Sequence, residues 1–492
     1  MSLLVTLGSL LPPPTFLQMR SVGIDISDTS LKYIKLAPKG HKNDEFSIET
    51  WGDIDIDDGA LNRGVVVEPE KLIAALKEVR ARTGVDMVRV SLPEERAYLF
   101  ETNIKRNTSA ADIRGLLEFR LEENVPLSPR DAYFDYEIIP DASSAAEYRV
   151  LVTVYARETI ESYYEACRAA GLLPLSFEVE AQAIARATIT EHDPGTYMIV
   201  DFGKTRTGIG IVHQSVLMYT STIEIGGGDM SHELREHLGD VPEAALTTRK
   251  NTEGLVMNPK EPEATKAMIA TFNSILEELK TRIDYWNTRS VNDEIRHIEA
   301  IILCGGSANM KGIERYVTDE FNINAYRANV WENVLSLEDE VPPIEQRFAY
   351  GYATAIGLSL GAYMYSLANL IPPQAQKIVR REYLARVVAL WLLLVAIAVV
   401  LVTLLFIPVY VLIENQTEAY AGEFVEAEGQ SDQFTSISAT ITQTNSLATS
   451  LLEHGQRPVA ISTYLAVVME AAPAGIDVNL FTVQGNTALT IG

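Results

Sequence analysis

Cysteine is almost absent from this sequence, since Cys167 and Cys304 are the only two among 492 residues. Two thiols cannot form a disulfide framework for a chain of this length, and no metal-ligand spacing surrounds either one. Basic residues are also scarce: 41 lysines and arginines stand against 66 aspartates and glutamates, for a net charge of −25. The sequence therefore lacks the positive field that holds a nucleic-acid backbone, and we expect no nucleic-acid partner.

Charge is missing altogether from residues 387–413, which include the run VVALWLLLVAIAVVLVTLLF. A helix of this length spans a bilayer with some tilt, whereas buried core helices seldom stay apolar on every side for so long. Lys377, Arg380, Arg381 and Arg386 precede the run, and the first charges after it are glutamates. The positive-inside rule therefore predicts a single-pass protein of the cytoplasmic (inner) membrane, with its N-terminus in the cytoplasm and its C-terminus outside.

The N-terminal segment MSLLVTLGSLLPPPTFLQMR is apolar, but it has no early basic residue and contains three consecutive prolines. This is not the pattern of a signal peptide, so residues 1–20 are interpreted as an N-terminal extension. Strand-like and helix-like patterns alternate after it, for example the helical EKLIAALKEVRAR before the strand-like VDMVRVSLP. This alternation predicts a mixed α/β domain on the cytoplasmic side.

One pattern occurs twice in that domain: an apolar strand that ends in an aspartate, a short polar turn and a second strand. The first strand ends at Asp25 in SVGIDISDTSLKYIKL and at Asp201 in TYMIVDFGKTRTGIGIV. Such turns can direct backbone N–H groups at phosphate oxygens, and two carboxylates across a cleft can hold the waters of a Mg²⁺ ion. A third turn, in IILCGGSANMKGIERYV, has small residues that allow a flat ligand to approach closely.

In their order and spacing, these three motifs resemble the phosphate-1, phosphate-2 and adenosine motifs of the actin-like ATPase fold. Residues 20–361 resemble the PilM family of type IV pilus proteins most closely. The matching segments are GIDISDTSLK, LEENVPLSPRDAYFDYEII, EVEAQAIARA, VDFGKTRTGIGIV, IGGGDM, CGGSANMKGIERYV and YGYATAIGLSLG. The region of about residues 91–180 resembles the extra subdomain of PilM and of the cell-division protein FtsA. The resemblance implies an actin-like α/β fold that binds ATP and Mg²⁺.

The resemblance also implies which residues bind the nucleotide. They are Asp25, Ser27, Thr29, Ser30, Lys32, Asp201, Gly203, Lys204, Thr205, Thr207, Gly226, Gly227, Lys250, Gly305, Gly306 and Ser307. Asp25 and Asp201 are the implied Mg²⁺ contacts, through water. Glu180 and Gln182 stand where actin-like ATPases place the residue that orients the attacking water. We expect slow hydrolysis at most, in a protein that is mainly structural.

Some positions depart from the family pattern. Ser27 stands where the family turn has glycine, and Asp28 stands where it has serine. A carboxylate at position 28 repels a polyphosphate unless Mg²⁺ or Lys32 offsets it, which predicts weak nucleotide affinity. Gly226 and Gly227 have two interpretations, either as helix-terminal amides facing a phosphate or as a tight strand-to-helix connection.

The segment ANLIPPQAQKIVRREYLARVVALW resembles the start of the PilN family, in which an Asn-Leu-x-Pro peptide docks onto PilM. Asn369, Leu370, Ile371 and Pro372 inherit that docking role, although the prolines would also stop a preceding helix. About eight residues connect Gly361 to this segment, at most about 25–30 Å. A groove on the far side of the domain would therefore force docking in trans, and we expect self-association in that case.

Beyond the membrane run, apolar residues recur at three- and four-residue spacing and predict a coiled-coil stalk over residues 414–456. A helix and a hairpin over residues 457–492 would form about half of the ferredoxin-like outer domain expected from PilN. The predicted order is an extension (1–20), an actin-like domain (21–361), a docking peptide with a basic linker (362–386), a membrane helix (387–413), the stalk and the partial outer domain.

The combined resemblance implies an assembly (alignment) scaffold of a type IV pilus machine. Its implied partners are a PilO-like outer protein, a cytoplasmic motor ATPase and the platform protein. The type II secretion protein GspL has the same layout and is the main alternative, without functional nucleotide binding. An FtsA-like protein would meet the membrane through an amphipathic helix. A membrane-tethered sugar or acetate kinase would need a set of substrate-binding residues between its lobes, and we find no such set in the sequence.

Overall fold

The computed structural model describes residues 19–39, 45–57, 59–139, 146–256, 260, 262–288, 297–364, 368–428, 432–454, 461–471, 481–484 and 488–491. The predicted N-terminal extension lies almost wholly outside these residues. The chain divides into two compact units, Met1–Val388 and Ala389–Gly492.

The first unit contains the strands β1 (Val22–Ile26), β2 (Ser30–Pro38), β3 (Phe46–Asp55), β4 (Leu61–Asn62), β5 (Val65–Val66), β6 (Met87–Leu92), β7 (Tyr98–Lys105), β8 (Ala132–Ile138), β9 (Glu147–Ala156), β10 (Leu173–Val179), β11 (Thr196–Phe202), β12 (Thr207–His213), β13 (Val216–Ile223), β14 (Ala300–Cys304) and β15 (Asn324–Arg327).

Its helices are α1 (Pro69–Thr83), α2 (Ala110–Asn124), α3 (Arg157–Ala169), α4 (Glu180–Thr188), α5 (Gly227–Leu238), α6 (Glu243–Glu253), α7 (Pro262–Thr288), α8 (Ile313–Phe321), α9 (Gln346–Ala349) and α10 (Ala353–Leu360). Short 3-10 turns lie at Glu94–Arg96, Gly306–Asn309 and Tyr350–Tyr352.

Two five-stranded sheets repeat one topology. The first has the strand order β10-β6-β1-β2-β3 and the second the order β13-β12-β11-β14-β15. In each sheet an antiparallel meander of three strands continues into two parallel strands. Asp25 pairs with Lys32, and Asp201 pairs with Gly208 in the equivalent hairpin. The two strand-turn-strand patterns of the sequence are therefore the same structural device, placed once in each sheet.

A smaller sheet of order β7-β9-β8 is inserted in the chain between β6 and β10. It has a core of its own, in which Phe100, Phe134 and Val152 from the strands pack against Leu117 and Leu121 of α2. The insertion lies within the region predicted, from its resemblance to PilM and FtsA, to hold an extra subdomain. After it, α3 leads into β10, which completes the edge of the first sheet.

Helix α10 packs against β1 and α4 with almost no space between the backbones. A Cβ atom on Gly357 would lie 1.7 Å from the Ala183 carbonyl oxygen, and one on Gly23 would lie 2.1 Å from the Ala355 carbonyl oxygen. All eight residues of α10 are buried. Small residues are therefore required where α10 crosses its neighbours.

Helix α11 (Pro373–Glu428) begins in the first unit, and the second unit continues with α12 (Asp432–His454), α13 (Ile461–Ala471) and an antiparallel hairpin of β16 (Phe481–Gln484) and β17 (Ala488–Ile491). Residues Pro373–Thr417 form one helix that is long and apolar enough to cross a membrane. The basic linker predicted before the span is part of this helix, because neither glycine nor proline occurs between Pro373 and Pro408.

Replacing Gly357 by alanine should destabilise the first unit, because the new methyl group would overlap the α4 backbone. We expect a loss of about 1–3 kcal/mol, measured by thermal or urea unfolding of the purified chain. Gly115→Ala is the matched control: no atom lies within 4 Å of its added Cβ. In helix α2 that change should stabilise slightly, by about 0.5–1 kcal/mol. Equal effects of the two substitutions would contradict the packing described for α10.

Candidate functional site

The two hairpins line a common cleft of about 320 Å³, near the lower end of the range for small-molecule sites. The residues that line it are Asp25, Ser27, Thr29, Ser30, Lys32, Asp53, Asp55, Glu180, Asp201, Gly203, Lys204, Thr205, Arg206, Gly208, Gly305, Gly306 and Gly351. Most of them belong to the set implied by the sequence. Asp53, Asp55, Arg206, Gly208 and Gly351 do not, although Arg206 stands in the same turn as Lys204.

The first turn is closed by its own serines. The Ser27 N–H donates to the Ser30 carbonyl at 2.9 Å, and the Ser30 N–H donates to Ser27 Oγ at 3.2 Å. Lys32 Nζ donates to Ser30 Oγ at 3.1 Å and lies 3.8 Å from Asp53. The serine at position 27 thus takes up a backbone N–H within the turn, and the Lys32 ammonium lies directly beside it.

The second turn is held against the start of helix α5. The Gly227 N–H donates to the Gly203 carbonyl at 2.9 Å, and the Gly228 N–H donates to the Lys204 carbonyl at 2.7 Å. A Cβ on Gly226 would lie 2.6 Å from the same Lys204 oxygen. These contacts favour the tight strand-to-helix connection over helix amides directed at a phosphate. Gly226 and Gly227 accordingly lie outside the cleft lining.

Gln182 and Thr207 also point away from the cleft. Gln182 Oε1 accepts a hydrogen bond from the Leu217 N–H at 3.3 Å, and Thr207 Oγ1 donates to the Ile225 carbonyl at 2.8 Å. Both side chains are buried. These contacts direct Gln182 Oε1 and Thr207 Oγ1 away from the cleft, which argues against a water-orienting role for Gln182 and a direct ligand contact for Thr207.

Lys250 connects helix α6 to helix α5. Its Nζ donates to Ser231 Oγ at 2.6 Å and to the Gly227 carbonyl, and burial lowers the pKa of this lysine. Ser307 lies beside Gly227, where an added Cβ would be 2.1 Å from its Oγ. Neither Lys250 nor Ser307 lines the cleft, whereas an added Cβ on Gly306 would meet no atom within 4 Å. Of the third turn, Gly305 and Gly306 line the cleft. Gly306 faces open space, whereas a Cβ on Gly305 would collide with Asp201 Oδ1 and the Phe202 carbonyl oxygen.

Asp25 and Asp201 are half-buried in the cleft, where Lys32 and Arg206 compensate only part of their charge. Asp25 Oδ1 accepts a hydrogen bond from Ser91 Oγ at 3.0 Å, but burial still raises the pKa of Asp25. Burial, reinforced by Asp25, raises the pKa of Asp201 to about 6. Glu94 lies behind them, and burial together with Asp201 raises its pKa to about 8. The cleft thus concentrates carboxylates that a cation would stabilise.

Arg206 is the main internal counter-charge. Its guanidinium lies 2.6 Å from Glu95, 3.2 Å from Asp28 and 3.5 Å from Glu180. Burial opposes the charge of Arg206, but these three carboxylates more than offset it and raise the pKa of the arginine. The sequence predicted that Mg²⁺ or Lys32 would have to neutralise Asp28. The structure corrects this, because Arg206 pairs with Asp28, which lies outside the cleft lining.

The Asn-Leu-Ile-Pro segment lies along β10, the edge strand of the first sheet. Asn369 Nδ2 donates to the Leu175 carbonyl at 2.8 Å, Asn369 Oδ1 accepts from the Phe177 N–H at 3.3 Å, and the Leu370 N–H donates to the Phe177 carbonyl at 3.1 Å. Leu370 and Ile371 are buried. The segment satisfies backbone groups that an edge strand otherwise exposes.

Strand β8 of the inserted sheet forms the opposite wall of this groove. Asp135 Oδ2 accepts a hydrogen bond from the Asn369 N–H at 2.8 Å. Burial raises the pKa of Glu137 to about 8, against the opposing hydrogen bond from the Ala368 N–H. The groove lies within reach of the connection from Gly361, and the segment occupies the groove of its own chain. The condition under which docking in trans would be forced, a groove on the far side of the domain, is therefore not met.

Solved structures with a similar fold include a PilM-PilN type IV pilus biogenesis complex, with 18% identity and a TM-score of 0.58 over 70% of this chain and 99% of that one. ADP-bound MreB5 of Spiroplasma citri is 12% identical, with a TM-score of 0.40 over 69% and 95% of the two chains. The cytoplasmic domain of EpsL, an inner-membrane component of the type II secretion system of Vibrio cholerae, is 9% identical, with a TM-score of 0.33 over 72% and 99%.

The duplicated sheets and the shared cleft define the fold as that of the actin-like ATPases, as the sequence motifs predicted. The family model of the type IV pilus assembly protein PilM matches residues 23–363, most of the chain. The chain therefore belongs to the PilM family, and it combines a PilM-type domain with one helix long and apolar enough to cross a membrane.

Replacing Arg206 by glutamine should destabilise the first unit by about 3–5 kcal/mol at neutral pH, because three largely buried carboxylates would lose their counter-charge. Burial already raises the pKa values of Glu95 and Glu180 against the opposing effect of Arg206, so without the arginine these two values rise further above their unfolded values. The variant's stability should therefore fall as pH increases from about 4.5 towards neutrality. Unfolding would be measured at pH 5 and pH 8.

Arg315→Gln is the control, because Arg315 forms an exposed ion pair with Asp319 on helix α8. Exposed pairs contribute little to stability, so this change should leave the unfolding transition nearly unmoved at either pH. A small, pH-independent effect of Arg206→Gln would show that the three carboxylates do not depend on this guanidinium.

Replacing Asn369 by aspartate should release the docking segment from its groove. The change removes the donor to Leu175 and adds a carboxylate beside Asp135. We expect hydrogen exchange of residues 173–179 and 369–376 to become roughly 10- to 100-fold faster, as expected for losing a buried hydrogen-bonded contact. The exposed Gln374→Glu adds the same charge nearby and should have no such effect.

Native mass spectrometry of the same variants distinguishes the two docking modes. Docking within one chain predicts that the assembly size is unchanged by Asn369→Asp. A shift from oligomer to monomer would instead support exchange of the segment between chains, as the sequence had suggested.

Proposed function

We propose that this PilM-family protein is a nucleotide-binding assembly scaffold of a type IV pilus machine at the cytoplasmic (inner) membrane. The observation that carries the proposal is the placement of Asp25 and Asp201 at equivalent ends of two equivalent hairpins, where both line one cleft. Phosphates bound at the two turns would contact Lys32 and Lys204, and Gly306 would leave room for the flat base.

The residues of the cleft fit Mg²⁺. Among the described residues, no cluster of three or more histidine, cysteine, aspartate or glutamate side chains could hold a metal ion directly. Asp25 and Asp201 would therefore hold hydrated Mg²⁺ through its waters, as Mg²⁺ commonly binds beside nucleotide phosphates. The ion would supply positive charge for the phosphates and for the carboxylates whose pKa values are raised by burial.

Any hydrolysis would be slow. Glu180 is the one predicted catalytic residue that faces the cleft, but burial raises its pKa well above the ordinary value and its carboxyl lies 3.5 Å from Arg206. A carboxyl group that is held by an arginine and desolvated by burial is poorly placed to accept a proton from the attacking water. We therefore propose that nucleotide binding, rather than rapid turnover, is the functional event in this cleft.

The docked segment would connect the cleft domain to the membrane. Asn369 to Pro372 lie on the first unit, and helix α11 begins at the next residue. We propose that the N-terminus is cytoplasmic and that the part beyond the membrane meets a PilO-like partner, while the first unit meets the motor ATPase and the platform protein. The PilM-PilN complex with a similar fold supports this PilN-like role for the segment.

One observation favours a second candidate, a GspL-like adaptor of type II secretion that does not bind nucleotide. The cleft lining contains five carboxylates, Asp25, Asp53, Asp55, Glu180 and Asp201, against three basic side chains. Without a bound cation, this excess repels a polyphosphate. An FtsA-like cell-division role has no comparable support, since a membrane-length helix is present.

The proposal predicts that the full chain in lipid nanodiscs binds Mg-ATP and Mg-ADP, measured by calorimetry. Asp201→Asn keeps the shape of the side chain but removes its charge. It should weaken Mg-ATP binding by roughly 10- to 100-fold, as expected for losing a group that orients the ligands of a metal. Asp319→Asn, an exposed change on helix α8, should bind like the wild type.

The absence of wild-type binding at millimolar nucleotide would contradict the proposal and favour the adaptor. If the wild type binds nucleotide and Asp201→Asn binds it equally well, the role of the two carboxylates would be contradicted. The nucleotide site would then lie elsewhere on the chain.

A further inference from the structure

A basic surface lies at one edge of the first unit, apart from the nucleotide cleft and the docking groove. It is an open depression lined by Lys77 and Arg80 of α1, by Arg168 of α3, and by the residues that follow these helices, including Asp86. Three cations face one carboxylate in a chain whose net charge is −25. This surface therefore has the opposite charge to the protein as a whole.

Structural roles account for only part of this charge. Arg80 Nε donates to Asp86 at 2.7 Å, and Arg168 lies in the last turn of α3, where it complements the helix dipole. Lys77 and Arg168 are exposed, and within the described part of the chain neither has an ion-pair partner. Two positive charges thus face solvent side by side, where an external anion can reach them.

A chain of short contacts connects this surface to Arg386, the last charged residue before the uncharged run. The Nη2 atom of Arg386 lies 3.8 Å from Met87 Sδ. Met87 follows Asp86, the carboxylate that pairs with Arg80. The depression is therefore connected to Arg386 through the Arg80–Asp86 pair and the neighbouring Met87.

We infer that this surface binds the anionic phospholipid headgroups of the membrane in which the protein's own helix is anchored. The inference rests on the proposed membrane orientation. Basic side chains within a few ångströms of an anionic leaflet each strengthen association roughly fivefold. Lys77, Arg80 and Arg168, together with Arg386, would hold the first unit against the bilayer and limit its tilting.

The test measures how close the depression comes to lipid headgroups. Cys167 and Cys304 are buried, so a cysteine introduced at the exposed Ala81, in the depression, can be labelled selectively with a fluorophore. The full chain is placed in nanodiscs that contain a nitroxide-headgroup lipid as quencher. We expect strong quenching with phosphatidylglycerol, weaker quenching with phosphatidylcholine alone, and loss when about 0.5 M salt shortens the screening length to about 4 Å.

Ser274→Cys on helix α7 is the control position, since it is exposed and belongs to the half of the unit built on the second sheet. Its label should be quenched little, whatever the lipid. The charge reversals Lys77→Glu and Arg168→Glu together should reduce the equilibrium constant for docking at least roughly 25-fold, because two fivefold contributions are lost. The exposed pair Lys280→Glu and Lys311→Glu is the matched control and should leave quenching at position 81 unchanged.

The inference would be overturned by equal quenching at positions 81 and 274. It would also be overturned if quenching at position 81 did not change with lipid charge, with salt or with the Lys77 and Arg168 reversals. Failure of the chain to insert into nanodiscs would overturn both this inference and the proposed membrane anchoring. A chain that inserts, binds Mg-ATP and shows no quenching at position 81 would overturn the lipid contact alone.

Discussion

The structure depends on two carboxylates, Asp25 and Asp201, that share one cleft and carry charge of the same sign. Asp25 and Asp201 end the central strands of two sheets with the same topology, and burial raises the pKa of each. Such an arrangement costs free energy unless a cation balances it. Lys32 and Ser91 contribute part of that balance, and Arg206 neutralises the carboxylates that surround the second turn. The negative charge that remains unbalanced gives a physical reason for a Mg-nucleotide to bind there.

Backbone hydrogen bonds also hold the docking segment, which directly precedes the long apolar helix α11, on the first sheet. The docking segment completes the edge of the first sheet, and Asp135 of the inserted sheet accepts the Asn369 N–H. The insertion therefore supplies one wall of the groove that holds the segment. Because β10 also leads directly into α4, whose first residue is Glu180, the groove and the cleft are connected by one continuous strand and helix. A change at one end has a short structural route to the other.

Much of this could be predicted from sequence. The twin hairpins were visible because a buried strand followed by Asp, a short polar turn and a second strand is a local pattern, and so was the uncharged run. What failed were side-chain directions. Gln182 and Thr207 are each within two residues of a residue that lines the cleft, but their side chains hydrogen-bond backbone groups outside it. Arg206 was missed because its partners are 26 to 178 residues away, beyond any local pattern.

The most direct test of the account is to locate the metal. A structure of the protein with Mn²⁺ in place of Mg²⁺ and a non-hydrolysable ATP analogue would show the ion by its anomalous scattering. The account predicts one Mn²⁺ peak between Asp25 and Asp201, bridged to them by water and touching the nucleotide phosphates at the two turns. A nucleotide bound without metal at these aspartates, or an empty cleft at saturating ligand, would contradict it.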